Sequence, residues 1–218
     1  MLFDFDKIPT REAYKLLVST IVPRPIAWVV TQDEAGVNNA APYSFFNAFG
    51  DTPPVIGFSC CPRPEEGGPV KDTLANIRAT GQFVVGLVNE ASAPAMSDTA
   101  IDFPPQMDEL AELGLEAVPS LYVKPPRIGQ SPVSFECETF QLVPVGVHTL
   151  VLGRVLAMHV HDDCILDAKK YYIDTPKLKL VGRMHGRGWY TRTEDRVDIP
   201  RTTYAQWEAR KAAPDKAD

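Results

Sequence analysis

Proline sets the outer limits of this fold. The chain carries 20 prolines in 218 residues, about 9 % against roughly 5 % in an average protein. A proline lacks the backbone donor, breaks helix interiors and is confined to strand edges and turns. Pro23 and Pro25 bracket Arg24 and force extended backbone there, Pro53-Pro54 mark a turn, and Pro42 stiffens the stretch around it. Many prolines fall between Pro94 and Pro132, including Pro104-Pro105 and Pro125-Pro126. The segment from Glu90 to Pro132 therefore reads as a long ordered excursion, not a run of core strands.

Between the prolines lie strand-like runs. Residues 26–31 (Ile-Ala-Trp-Val-Val-Thr), 55–59, 82–88, 135–143 and 150–160 are rich in β-branched and aromatic residues. Asp33-Glu34-Ala35-Gly36 reads as a hairpin-like turn from which Val37 to Ala41 returns. Short helices are expected over 10–19, with Thr10 as its cap, over 72–79, and over 107–113, stopped by Gly114. A last hairpin is expected around Gly186. Six or seven strands without βαβ alternation predict a mainly β chain, an antiparallel barrel with a few peripheral helices. No G-x-G-x-x-G, P-loop, nucleophile elbow or H-E-x-x-H occurs. Residues 1–200 are expected to form one domain and 201–218 a helix-prone tail.

The net charge of −6 disfavours nucleic acid as a partner. No run has membrane-spanning length, and the acidic start is unlike a signal peptide, so the chain reads as cytoplasmic. Cys60, Cys61, Cys137 and Cys164 form no C-x-x-C pair and read as reduced, packed thiols.

Two segments carry chemistry. Lys71-Asp72-Thr73 opens a predicted helix, where free N–H groups and the helix dipole favour an anion, and Lys71 and Thr73 add a charge and a hydroxyl. Arg63, just upstream, can fold over the same phosphate. Asn39-Ala40-Ala41-Pro42-Tyr43-Ser44-Phe45-Phe46 reads as a stiff loop of small residues whose backbone suits the polar edge of a flat ring. In it Ser44 can hydrogen-bond ring or ribityl oxygens, and Phe45 can line the rim. Thr31 and Ser59, at strand ends, can reach a ribityl chain, and Arg24 a phosphate or ring oxygen. Each feature alone also fits an ordinary helix cap, a barrel corner, a strand-end hydroxyl or a structural ion pair. His159 and His161 share one strand face, an arrangement open to metal or to none.

In combination these motifs resemble the flavin reductase-like, FMN-binding split-barrel family. The resemblance rests on Arg24 to Thr31, Gly36 to Phe46, Pro53-Pro54, Lys71-Asp72-Thr73 with Asn76-Ile77, and Phe135-Glu136-Cys137, with Gly153, Arg183 and Tyr190 fitting more weakly. It implies a Greek-key split barrel, a homodimer, bound FMN (less often FAD), and NADH or NADPH as hydride donor. Electrons would pass to free flavin, a partner monooxygenase or ferric iron. It further implies that Lys71, Asp72, Thr73 and Arg63 meet the phosphate, and that Thr31, Asn39, Ala40, Ala41, Ser44 and Phe45 meet the ring and ribityl chain. A non-enzymatic flavin carrier and a flavin-dependent substrate oxidase on a similar barrel are the rival readings.

Overall fold

A computed structural model describes residues 1–61 and 71–212. Its strands in chain order are β1 (Ala27–Gln32), β2 (Asn38–Tyr43), β3 (Phe46–Asp51), β4 (Pro54–Cys60) and β5 (Gln82–Leu87). The short β6 (Ala117–Val118) and β7 (Arg127–Ile128) follow, then the long β8 (Val133–Val145) and β9 (His148–Val160). Short pairs close the list: β10 (Ile165–Asp167) with β11 (Tyr172–Ile173), and β12 (Val181–Arg183) with β13 (Tyr190–Arg192). The main sheet has seven strands in the order β2-β1-β5-β8-β9-β4-β3, and every neighbouring pair is antiparallel.

That order contains the closure of the barrel. β2 and β3 are the two opposite edges, yet only Ser44 and Phe45 separate them in sequence. A flat sheet of this width would hold its edges roughly 29 Å apart at about 4.8 Å per strand. The chain from Tyr43 to Phe46 spans at most about 11 Å. The sheet must therefore curl until its edges meet. The Ser59 N–H donates to the Phe45 carbonyl at 2.9 Å and fastens this seam to β4. The result is the antiparallel split barrel expected from the sequence.

β1 shows why its sequence is apolar without alternation. Ala27 and Val29 point into the barrel with Tyr43, Phe58, Phe83, Val85, Cys137 and Val151. Trp28 and Val30 point outward, into a second core with Ala40, Val84, Met96, Leu110, Val123 and Ile128. Helix α1 (Thr10–Thr20) precedes β1, and α2 (Asp72–Thr80) adds Leu74 and Ile77 to the barrel interior. Gly153 has a steric role: a Cβ there would come within 2.3 Å of the Phe83 ring.

The excursion is the lid of the outer core. It holds α3 (Ala93–Asp98), α4 (Glu109–Glu112) and the β6–β7 pair. The Trp28 indole N–H donates to Thr99 Oγ1 at 3.0 Å. Farther along, the fully buried Glu136 of β8 accepts the Leu121 N–H at 2.9 Å and the Tyr122 N–H at 2.6 Å, and meets His159 Nε2 at 2.6 Å. Burial alone would push this carboxyl up. The two N–H groups and the imidazole outweigh burial and hold it below the usual carboxylate range.

Several local expectations shift. Residues 39–43, read as a loop, are the edge strand β2; Pro42 is tolerated there because an edge strand has one unpaired side. Residues 46–51, given no strand from sequence, form β3, whose residues are mostly exposed and so lack an apolar pattern. Pro9, not Thr10, stands at the cap of α1. The 107–113 helix contracts to α4, capped by Asp108, whose Oδ1 accepts the Ala111 N–H. Among the described residues no helix is long and apolar enough to cross a membrane. The last described helix, α5 (Tyr204–Ala212), follows an exposed arm.

Glu136→Ala strands two backbone donors and His159 in the interior, and is expected to cost about 3 kcal/mol. A chain of this size then loses about 6–12 °C in melting temperature; an unchanged melting curve would refute the pin. Because the folded value lies below the ordinary 4.5, the contribution of Glu136 is complete at neutral pH and fades as the pH falls through that lower value.

Candidate functional site

The edge strand β2 and the start of α2 face one another, and this is where the sequence placed its chemistry. An open cleft of about 470 Å³, counted with the solvent at its mouth, is lined by residues 39–43, Lys71, Asp72, Thr73, residues 99–103 and Glu109. Two of the predicted groups thus converge: Asn39, Ala40 and Ala41 on the edge of β2, and Lys71, Asp72 and Thr73 at the first turn of α2. Lys71 occupies the cap position of α2, and its side chain makes no capping bond.

A polar chain runs behind the cleft. Asn76 Nδ2 donates to Thr31 Oγ1 at 3.1 Å, and Thr31 Oγ1 donates to Asn39 Oδ1 at 3.5 Å. Thr73 Oγ1 donates to the same oxygen at 2.7 Å. Asn39 Nδ2 donates to Glu109 Oε1 at 2.6 Å, and the Ala40 N–H donates to Glu109 Oε2 at 2.9 Å. Next door, Asn38 Nδ2 donates to Asp108 Oδ2 at 2.8 Å. Two consecutive amides on β2 are thus matched to two consecutive acids on the excursion. Thr31 is buried behind Asn39 and supports the site without lining the cleft.

Glu109 also caps the sheet edge. In an antiparallel edge strand every second residue turns its N–H and C=O outward. Here the outward N–H of Ala40 is taken by Glu109, and Pro42 has none. What this stretch of edge offers a ligand is small side chains and backbone carbonyls. Burial raises the Glu109 carboxyl to about 7; its two hydrogen bonds pull the other way, and Asp72 and Asp108 add to the rise.

The remaining predicted residues gather at the seam. Arg24 is buried and satisfies its donors inside the protein. Nη1 donates to the carbonyls of Val18 and Ile21 at 2.7 Å each, Nη2 to Met184 O at 3.0 Å, and Nε to Ser44 Oγ at 3.4 Å. It ties α1, the seam and the β12–β13 hairpin together, and none of these bonds is spent on the cleft. Phe45 lies against His148, with ring centroids 6.4 Å apart. Ser59 Oγ and His148 Nδ1 are 3.2 Å apart. Arg63 lies outside the described residues. His159 is held by Glu136, and His161 Nε2 donates to Gly129 O at 3.2 Å.

Sequence reasoning missed Glu109 and His148. Glu109 was visible only as one acid in the first turn of a short helix, 69 positions from the Ala40 N–H that it binds. His148 carried no motif at all. The thiols stay outside the chemistry: Cys60 donates to the Tyr43 hydroxyl at 3.3 Å, and burial pushes it up to about 11.

Fold and cleft together define the class, an antiparallel split barrel with a cleft between its edge strand β2 and the start of α2. The chain belongs to the family described as flavin reductase like domain, whose model matches residues 18–175. An uncharacterized protein of Deinococcus radiodurans is 42 % identical over 99 % of this chain and 96 % of its own length. Protein YwrF of Bacillus subtilis is 37 % identical over 85 % and 91 %. Among solved structures, 2-nitrobenzoate 2-nitroreductase NbaA of Pseudomonas fluorescens superposes with a TM-score of 0.83 at 31 % identity, covering 94 % of this chain and 98 % of that one. Nitrilotriacetate monooxygenase component B of Bacillus cereus gives 0.85 at 29 % identity, over 91 % and 98 %.

The raised carboxyl has a stability consequence. Glu109 binds a proton more tightly when folded than at the ordinary 4.5, so the apo protein is expected to lose stability as the pH rises from about 4.5 through 7. A shift of this size corresponds to a few kcal/mol, on the order of 3. Denaturant midpoints of the wild type and Glu109→Gln, compared at pH 5 and pH 8, should diverge in favour of the variant at the higher pH. Parallel pH profiles would remove Glu109 as the cause.

Proposed function

We infer that the protein is an FMN-dependent NAD(P)H oxidoreductase of the flavin reductase type. One observation carries this reading: a helix start with Lys71 and Thr73 stands across a single cleft from an edge strand with small side chains and outward carbonyls. The first suits a phosphate monoester. The second suits a flat ring that needs close backbone approach. The residues present therefore fit a phosphorylated flavin. Lys71, Thr73 and the first N–H groups of α2 would hold the phosphate, with Arg63 as a further candidate from sequence. Ala40, Ala41, Ser44 and Phe45 would flank the ring and ribityl chain, and Thr31 and Ser59 would support from behind.

When bound, the flavin supplies the redox chemistry, accepting hydride from NADH or NADPH and returning electrons to an acceptor. The chain's own part is binding, orientation and shielding. Buried Cys60 and Tyr43 stay protonated at neutral pH, since burial pushes both up, and neither is needed as acid or base. The likeness to nitrilotriacetate monooxygenase component B supports delivery of reduced flavin to a partner enzyme, and the likeness to NbaA supports testing a nitroarene as acceptor. A homodimer fits the exposed surface: α1 buries no residue, and the edge strand β3 exposes Phe49.

The test is a visible spectrum of the protein with FMN, followed by anaerobic NADH and NADPH. A bound-flavin spectrum that bleaches is expected. Bound flavin that stays oxidised would replace the reductase by a carrier or an enzyme with another donor, and no bound flavin would end the reading. The double variant Lys71→Ala, Thr73→Ala is expected to weaken FMN at least tenfold while sparing riboflavin, which lacks the phosphate; equal losses for both would refute the phosphate assignment.

A further inference from the structure

Among the described residues, α1 and α5 are the two α-helices that bury no side chain. For α5 the isolation extends to the segment that carries it. From Arg192 to Lys211 every residue is exposed, 20 in succession. At the root of this arm Arg192 Nε donates to Glu90 Oε1 at 2.9 Å, and Thr193 Oγ1 donates to Leu180 O at 3.1 Å. Farther out, among the described residues, no hydrogen bond or ion pair joins residues 196–211 to the barrel. The arm is nonetheless built. Thr203 and Gln206 cap α5 reciprocally: Gln206 Oε1 accepts the Thr203 N–H at 2.8 Å, and Thr203 Oγ1 accepts the Gln206 N–H at 3.3 Å. Trp207 lies beside Tyr204, with ring centroids 5.8 Å apart, and Lys211 Nζ stands 4.3 Å over the indole. Before the helix, Val197 and Ile199 are 82 % and 83 % exposed, so they touch almost nothing of their own chain. A nine-residue helix standing alone is marginal in water, and apolar side chains of this size gain from cover.

We propose that this arm docks on a second copy of the chain, and that two copies exchange arms about a two-fold axis. Size supports a second copy. Twenty residues make one side of a standard interface, about 800 Å², or about 1,600 Å² with the face that receives them. Two-fold symmetry uses the same pair of surfaces twice, and roughly 3,200 Å² is the range of obligate homodimers. Reach allows it: the backbone from 193 to 203 spans up to about 38 Å, against a radius of gyration of about 17 Å for a domain of this length. The chain also has a face in need of cover, since α1 turns Tyr14, Leu17 and Ile21 outward. A closed pair covers α1 and α5 together, whereas a foreign protein seated on the arm leaves α1 bare. An anionic membrane surface is disfavoured by Glu194, Asp195 and Asp198 beside Val197 and Ile199. The proposal extends the homodimer reading above by naming the segment that makes it, and it is independent of the flavin.

Sedimentation equilibrium over a range of protein concentrations, without flavin, tests it on the wild type and on the double variant Ile199→Asp, Trp207→Asp. Both positions are exposed in the single chain, so the variant is expected to keep the far-UV spectrum of the barrel. The wild type is expected to be a dimer and the variant's dimer to be at least a hundredfold weaker. An equally tight dimer in the variant would overturn the arm's role while leaving a dimer through another face. A monomeric wild type would overturn the arm and the homodimer together. Hydrogen exchange on the wild type gives a second answer, whether or not the variant folds. The amides of residues 204–212 are expected to be protected in the dimer and to lose that protection on dilution to the monomer. Exchange at unfolded-chain rates in the dimer would overturn the docking, and protection that survives in the monomer would put the arm on its own barrel and overturn the exchange.

Discussion

Two residues hold this architecture together. Ser44 and Phe45 join strands that lie at opposite edges of a seven-stranded sheet. No hydrogen-bond ladder is needed to force the curl; the shortness of the covalent link does it. The cleft lies along the β2 edge that this closure leaves without a further strand, where backbone groups remain for other partners. Arg24 reinforces the seam from outside, with carbonyls of α1 and the β12–β13 hairpin and the Ser44 hydroxyl as its acceptors.

Two buried carboxylates then fix the excursion, and their environments drive them in opposite directions. Glu136 gathers two N–H groups and an imidazole and remains charged. Glu109 gathers two donors as well, but Asp72 and Asp108 stand near it and burial dominates. The first serves as a pin that wants no proton. The second sits on the boundary between its two states, in the wall of the cleft.

Local chemistry was legible and distant chemistry was not. The apolar run of β1, the turn at Gly36 and the helix start at Lys71 all announce themselves within a few positions, and each took its expected place. The strand β3 stayed hidden because an exposed edge needs no apolar alternation. Asn39 to Tyr43 looked like a loop because Pro42 breaks the strand pattern, although an edge strand can spare that donor. Arg24, a cation held between prolines, read equally as a ligand contact or a structural tie; its acceptors come from residues 18, 21, 44 and 184, which no local window contains. Glu109 was out of reach for the same reason, since nothing in the sequence pairs Asp108-Glu109 with Asn38-Asn39.

The two hairpins β1–β2 and β3–β4 form a V with its vertex at the seam. Local sequence makes each arm, but the angle between the arms is set from elsewhere, by β5, β8 and β9 wedged into the opening. The closure at the vertex is therefore set by strands that lie across the sheet from it. Between β5 and β9, where Phe83 lies over Gly153, there is no room even for a Cβ, so side-chain volume there presses on the spread of the arms as a hand on the far end of a pair of tongs.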